Sequence, residues 1–312
     1  MNLIATMLYG KGPATPRRAV GSVLPWVDLL LVLDSGITEW QLLKIRELAG
    51  DKLRHVKFSW PQDFGAARNF ALEQAERLNG RWAVTIDSDE ALRFPGFRSQ
   101  AELLAALEAR PEIQSWMTPF RGGDYAKDRF VRLPTKLRWQ GVVHEYLGGN
   151  RDDERAVLDG VFFDEESKSA DALAEKLERD RAVLEKQVAE SPKDARAWIY
   201  LARTLESLGE TEASINSYLQ CARQGKWREE AAWAHYKAAS GFHQARQFER
   251  GLQLCVLGRK RRPLPELAWL AGHCCLHRLC GNSVHRQMQA AFKAREGYDL
   301  RRRQMLESCT TD

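Results

Sequence analysis

Three acidic residues follow an apolar run in the segment WAVTIDSDEALRF, which begins at Trp82. The run that ends at Ile86 has the composition of a buried strand, and Asp87, Asp89 and Glu90 come directly after it. Carboxylates at the end of a buried strand are unfavourable unless water or a cation compensates their charge. Mg²⁺ and Mn²⁺ prefer oxygen ligands and rarely bind to a single carboxylate. The segment therefore predicts either a solvated acidic turn or a cation site.

The elements around these acids alternate between strand and helix patterns. The apolar runs predict strands at 3–8, 28–34, 54–58 and 82–87, and helical spacing predicts helices at 37–50 and 63–80. Asp63 is the predicted N-cap of the second helix and Gly80 its C′ residue. This order predicts an α/β fold with a doubly wound, mostly parallel sheet. Ligands of such sheets bind beyond the carboxyl ends of the strands, where Asp34 and Asp87 lie.

The second part of the chain has a different period. Residues 112–163 predict shorter strands, including one over 137–147, that extend the sheet and cover the site. From residue 168 onward the pattern is helical throughout, and apolar residues from Trp198 to Tyr218 have the spacing of a tetratricopeptide unit, with Trp198 and Trp269 at predicted core positions. Such helix pairs bury their apolar faces by stacking on their neighbours. We therefore predict two domains, 1–165 (α/β) and 166–312 (an all-α solenoid).

Charge and cysteine content limit the class of protein. Residues 1–165 carry 22 basic and 23 acidic residues, whereas residues 166–312 carry 25 and 19, with dense clusters at 259–262 and 301–303. The excess of basic residues in 166–312 predicts either a solvated surface or an anionic partner. Six cysteines, all beyond position 220, do not form a disulfide framework. No apolar run is long enough to span a membrane and no leader pattern opens the chain, so we expect a cytoplasmic protein.

An ordered set of motifs resembles the family 2 glycosyltransferases of the GT-A fold, in particular bacterial and phage members with a tetratricopeptide tail. The resemblance covers roughly residues 28–260, and it is the order of the motifs that is specific. The motifs are VLDSGIT (32–38), WPQDFGAARNFALEQA (60–75), WAVTIDSDEAL (82–92), RLPTKLRWQGVVHEYL (132–147) and KLERDRAVLEKQVAESPKDARAWIYLAR (176–203).

This resemblance implies an enzyme that uses a nucleotide sugar, most simply a UDP-sugar. The residues that it implies for binding the nucleotide sugar are Asp34, Ser35, Arg68, Asn69 and Asp87. Arg68 and Asn69, on the first turn of their helix, are expected near the ribose and diphosphate, since a helix N-terminus favours anions. Tyr9 lies where the chain departs from the family's pattern, and it is a further candidate, for stacking on the base. The implied cofactor is Mn²⁺ or Mg²⁺, with Asp89 as principal ligand, His144 as second protein ligand and Asp87 nearby.

The resemblance also implies an inverting mechanism. Glu145 is a candidate general base that deprotonates the acceptor, and Asp124 and Asp128 compete for that role. The expected acceptor is a hydroxyl or thiol of a glycan, a peptide or another polymer, presented by the solenoid, which is also a possible homodimer contact. Two alternatives are a phage enzyme that acts on hydroxymethylated DNA bases and a degenerate transferase that serves as a scaffold.

Overall fold

The structure is a computed structural model that describes residues 1–10, 16–123, 125–167 and 169–277. The described residues fall into two compact units, which separate after Ser167. The first unit is α/β and the second is helical. The architecture predicted from the alternating patterns, an α/β domain with a mostly parallel sheet followed by an all-α region, is therefore confirmed.

The first unit is built on a seven-stranded sheet with the order β10-β6-β7-β4-β1-β2-β3. Its parallel part consists of β1 (Leu3–Tyr9), β2 (Leu29–Asp34), β3 (Leu53–Lys57) and β4 (Trp82–Asp87). The part added beside β4 consists of β6 (Ser115–Pro119), β7 (Ala126–Arg132) and β10 (Arg155–Val157). Because β7 runs antiparallel to β4 and β6, it carries its own residues towards the carboxyl end of β4.

The described residues of the first unit form four α-helices. They are α1 (Pro16–Val23), α2 (Glu39–Ala49), α3 (Phe64–Arg77) and α4 (Gln100–Glu108). Alternate residues of β1 pack into two different apolar clusters, one on each face of the sheet. Leu3 and Met7 lie in the first cluster, and Ile4 lies in the second. β1 and β2 are thus buried on both faces, as the continuous apolar run of β2 predicts. Neither α1 nor α4 was expected from the sequence patterns.

The ends of α3 follow from local side chains. The Asp63 side chain accepts a hydrogen bond from Ala66 N, which confirms it as the N-cap. The prediction for Gly80 is wrong by one position, because Asn79 has the left-handed conformation of a C′ residue (φ 57°). Gly80 is the next residue, and its N–H donates to Ala75 O at 3.0 Å. A Cβ at Gly80 would lie 2.8 Å from the end of the Ile4 side chain and 3.1 Å from Ala75 O, so a larger residue here requires that Ile4 shift.

Short strands lie beside the main sheet. β5 (Glu90–Arg93) pairs with β11 (Phe162–Glu165), and β8 (Arg138–Gln140) forms a hairpin with β9 (Tyr146–Gly148). The prediction of a single strand over 137–147 is therefore wrong. Gly141 has a φ of 100° and His144 a φ of 51°, and these values turn the chain back between β8 and β9.

The described part of the second unit is entirely helical. Its helices are α5 (Ala170–Glu190), α6 (Ala195–Ser207), α7 (Thr211–Gln224), α8 (Arg228–Gln244), α9 (Phe248–Arg261) and a helix over 265–277. From α5 to α9, each helix packs on the next one. The tetratricopeptide assignment stays a prediction. The predicted core positions are wrong for Trp269, which is 42% exposed, and for Trp198, which is only partly buried.

Two further features concern the environment of the protein. Among the residues that the structure describes, no helix combines the length and apolar composition that a membrane span requires. The described cysteines, Cys221, Cys255, Cys274 and Cys275, are free thiols.

Candidate functional site

Arg68 joins three distant parts of the chain at the carboxyl end of β4. Its Nη2 lies 2.9 Å from Asp87 Oδ1, and its Nε donates to Glu145 Oε1 at 2.5 Å. The guanidinium also lies over the Trp139 ring, 5.2 Å from the ring centroid. The strand end, the first turns of α3 and the β8–β9 hairpin therefore meet at one largely buried cation. The structure thus brings together three of the motifs that resemble family 2 glycosyltransferases, those at 60–75, 82–92 and 132–147.

Two cations from β7 complete this cluster. Arg129 pairs with Glu90 and lies 3.7 Å from Asp87 Oδ2, and Lys127 Nζ lies 3.0 Å from Glu90 Oε1. Both carboxylates therefore belong to a buried network. Sequence reasoning missed Lys127 and Arg129, although their spacing of two places both on one face of a strand. That spacing, read together with the antiparallel pairing to β4, is the signal that identifies them.

Opposite pKa shifts separate the two acids. Burial alone would raise the pKa of Asp87, but Arg68, Arg129 and Lys127 outweigh it and hold this pKa well below its ordinary value. Burial dominates at Glu90, which is 2% exposed, and the nearby Asp87 adds to it, so the pKa of Glu90 is raised despite Arg129 and Lys127. Asp87 is thus a permanent anion, whereas Glu90 holds its proton to higher pH.

The predicted metal ligands do not form a preassembled centre. Within the described ranges, no group of three His, Cys, Asp or Glu residues is arranged to hold a metal ion. Asp87 faces cations, and His144 is exposed in the β8–β9 turn rather than on a strand as expected. The main-chain carbonyl of Asp89 accepts hydrogen bonds from Arg18 and from Glu166 N. The residues present do not fit a preformed metal site, and dependence on Mn²⁺ or Mg²⁺ stays a prediction.

The N-terminus of α3 is closed by the chain itself. Phe64 N donates to Val142 O and Gly65 N to Gly141 O, at 2.9 and 3.2 Å, and the next two N–H groups bond to Asp63. A Cβ at Gly65 would lie 2.8 Å from Gly141 O, so this approach requires glycine. Those N–H groups therefore already have acceptors in this structure, and the binding of a diphosphate near this helix end stays a prediction.

Asn69 fixes the hairpin rather than facing the site. Its Nδ2 donates to Trp139 O at 2.9 Å, and its Oδ1 accepts from Trp139 N at 2.8 Å. Both ends of the side-chain amide are thus bonded to the backbone of β8. This contradicts the predicted contact of Asn69 with ribose or diphosphate, and it gives Asn69 a role in placing the Trp139 ring beneath Arg68.

Asp34 and Ser35 shape the turn after β2. Asp34 Oδ1 accepts from Gly36 N and Ile37 N at 2.9 and 2.8 Å, and Asp34 Oδ2 lies 2.8 Å from His55 Nε2. Ser35 Oγ donates to Tyr9 O at 3.1 Å. Asp34 lies at the predicted strand end, and His55 is a partner that the sequence did not indicate. Contact of either residue with a nucleotide stays a prediction.

Tyr9 is not available as a stacking surface. It is 1% exposed, and its ring lies in the apolar cluster of the first unit. Burial, with a smaller contribution from Glu166, raises the pKa of Tyr9 to about 12. The prediction that Tyr9 stacks on a base is wrong for this reason.

The rival candidates for the general base have different outcomes. Asp128 is buried and pairs with Arg155, and it accepts a hydrogen bond from Ser115 Oγ at 2.9 Å. These contacts make Asp128 a structural ion-pair partner of Arg155 and contradict its predicted role as a base. Asp124 lies outside the described residues. Glu145 remains at the site through its bond with Arg68.

Stability at acid pH is expected to depend on Asp34. Burial alone would raise the pKa of Asp34, but the bonds from Ile37, Gly36 and His55 outweigh it and lower this pKa. A lowered pKa stabilises the fold above the unfolded value of about 4, and this contribution disappears as the pH falls through the folded pKa. Urea unfolding between about pH 5 and 2 should show a shallower loss of unfolding free energy in Asp34→Asn than in the wild type. Equal slopes would contradict the assignment.

The comparisons with known proteins identify no family. No protein-family model matches the chain, and no curated protein matches its sequence. Among solved structures, residues 1–349 of TarS from S. aureus are similar to it, with a TM-score of 0.44 and 12% sequence identity. The similarity covers 85% of this chain and 92% of that one. At this TM-score the likeness carries no argument, and the fold rests on the strand order described above.

Proposed function

We propose that the first unit transfers a sugar from a nucleotide sugar to an acceptor hydroxyl. The observation that carries this proposal is the position of Arg68 between Asp87 and Glu145 at the carboxyl end of β4. Parallel sheets bind their ligands at this end. The same three residues lie in the motifs that resemble family 2 glycosyltransferases, so resemblance and geometry support one location.

The proposed chemistry requires a base and a charged leaving group. The acceptor oxygen attacks the anomeric carbon from the face opposite the diphosphate, and the bond between that carbon and the phosphate oxygen breaks. The electron pair leaves with the nucleoside diphosphate, and the acceptor proton passes to a carboxylate, for which we propose Glu145. Inversion at the anomeric carbon follows from this single displacement.

Arg68 positions Glu145 in this proposal. In the described structure the Glu145 carboxylate accepts a hydrogen bond from Arg68 Nε at 2.5 Å, which fixes its orientation at the end of β4. Asp87 compensates the second side of the same guanidinium. The arrangement orients the base without requiring that Asp87 touch the sugar.

Calorimetric titration of a panel of nucleotide sugars, led by UDP-sugars, tests the proposal. Each donor is titrated with Mn²⁺, with Mg²⁺ and with EDTA, into wild type and Asp89→Ala. We expect one donor to bind, and binding that EDTA and Asp89→Ala both abolish would establish the predicted metal dependence. Binding that survives EDTA would leave the transferase proposal intact and remove the metal. If no donor binds under any condition, the proposal fails and the scaffold alternative takes its place.

A further inference from the structure

One edge of the second unit is strongly basic. The exposed cations there are Arg223, Lys226 and Arg228 around the α7–α8 loop and the run from Arg259 to Arg262 at the end of α9. We call this surface the basic edge. It contains seven of the 25 basic residues in 166–312, including one of the two dense clusters noted in the sequence.

Direct contacts hold the two parts of the basic edge together. Arg228 Nε donates to Arg261 O at 2.8 Å, and Arg261 Nη2 lies 3.4 Å from Ala222 O. Arg262 also pairs with Glu229. The start of α8 and the ends of α7 and α9 therefore form one continuous surface, in which Arg228, Arg261 and Arg262 have defined contacts.

Acidic residues compensate little of this charge. Glu229 is engaged by Arg262, and Glu230 is buried beneath the surface. No side-chain bond within the described ranges engages Arg259 or Lys260, and both extend into solvent. Like charges held this close repel one another, which costs stability unless an anionic partner binds.

An exposed aromatic side chain lies within the basic edge. Trp227 lies between Lys226 and Arg228 and is 45% exposed. A tryptophan this exposed contributes less to the core than a buried one and is typical of a contact surface. Cations that track a phosphate backbone, with an aromatic side chain on which a base stacks, are the combination that binds single-stranded nucleic acid.

We propose that the basic edge binds single-stranded nucleic acid, with its cations on the phosphates and Trp227 stacked on a base. The proposal is independent of sugar transfer by the first unit. A lipid surface fits less well, because interfacial helices present a wide apolar face. The exposed apolar side chains of α9 are Val256 and Leu257. The other exposed side chains of this helix, which include Glu249, Arg250 and Gln253, are polar or charged. A duplex would not use the exposed ring, since its bases are stacked inside.

Fluorescence anisotropy of a labelled oligothymidylate, measured with the full chain over a range of salt concentrations, tests the proposal. Binding is expected to weaken as salt rises, because each phosphate contact releases counterions. The double variant Arg259→Ala/Lys260→Ala should reduce the magnitude of the log–log salt slope by about 1.4, since each lost contact contributes about 0.7 for a single strand. Neither side chain makes a hydrogen bond or an ion pair within the described residues, so the variant should fold.

Two further variants separate charge from stacking. Trp227→Ala should weaken binding by about tenfold or more with an unchanged salt slope, because stacking on a base is not an ionic contact. The matched control is Arg54→Ala/Lys136→Ala, which removes two exposed cations from the first unit. It should leave both the affinity and the salt slope unchanged.

Three results would overturn the proposal. The first is the absence of oligothymidylate binding at low salt. The second is an equal loss of binding in the basic-edge double variant and in its control. The third is a protein that does not bind oligothymidylate but does bind anionic phospholipid vesicles in a flotation assay, through the same residues. That result would assign the basic edge to a membrane surface. Equal affinity for duplex and single strand would exclude the stacking role of Trp227.

Discussion

Replacement of Glu145 by glutamine is expected to lower the rate of sugar transfer by about a hundredfold or more, because positioned proton transfer contributes about 10²–10⁴ to a rate. Glutamine keeps the size of the side chain and an oxygen that accepts from Arg68, but it cannot accept the acceptor proton. Donor affinity, measured by calorimetry, should therefore change little while turnover falls. The measurement is the initial rate with the donor identified in the titration.

The rival carboxylates provide the controls. Asp128→Asn should reduce stability, because Arg155 loses its buried partner, without lowering the rate per folded molecule. Asp124→Asn tests the candidate that lies outside the described residues. If Asp124→Asn abolishes transfer while Glu145→Gln leaves it unchanged, Asp124 is the base, and the bond between Glu145 and Arg68 is structural.

Those parts of the site that depend on strand ends were predictable from the sequence. Continuous apolar runs identify buried parallel strands, and parallel strands place the residues that follow them at one edge. This reasoning located Asp34 and Asp87 correctly. The N-cap Asp63 was also predicted correctly, but Arg68, expected on the first turn of its helix, lies five residues after the cap, on the second turn of α3.

The partners of these residues were not predictable, because they depend on pairings between distant segments. A single strand over 137–147 would project His144 and Glu145 on opposite faces. The positive φ of His144 instead turns the chain, and Glu145 reaches Arg68. The α3 N-terminus likewise looked open in the sequence, and only the hairpin carbonyls of Gly141 and Val142 close it. Local sequence patterns do not indicate which distant carbonyl accepts a hydrogen bond from the N–H groups at the start of a helix.

The largest effect on stability is expected for Arg129→Met, which should lower the free energy of unfolding by about 3–5 kcal/mol. The Arg129 side chain is 2% exposed, and it lies over the Phe163 ring, 4.7 Å from the centroid, so methionine keeps much of the apolar packing. The change removes one of the two cations that pair with Glu90 and leaves the buried carboxylate with Lys127 and the hydrogen bond from Asp87 N. Chemical denaturation at neutral pH measures the loss.

Two controls attribute this loss to charge rather than to packing. The double variant Arg129→Met/Glu90→Gln should recover part of the stability, since it removes the unpaired charge while the cavity around residue 129 stays the same. The loss in the single variant should also be smaller at about pH 5 than at pH 8. Burial already raises the pKa of Glu90, and an acid with a raised folded pKa destabilises the fold increasingly as the pH rises above its unfolded value of about 4.3. A loss that is independent of pH, and that the double variant does not reduce, would mean that Arg129 contributes through its contacts with Phe163, Thr85 O or Asp87 and not through Glu90.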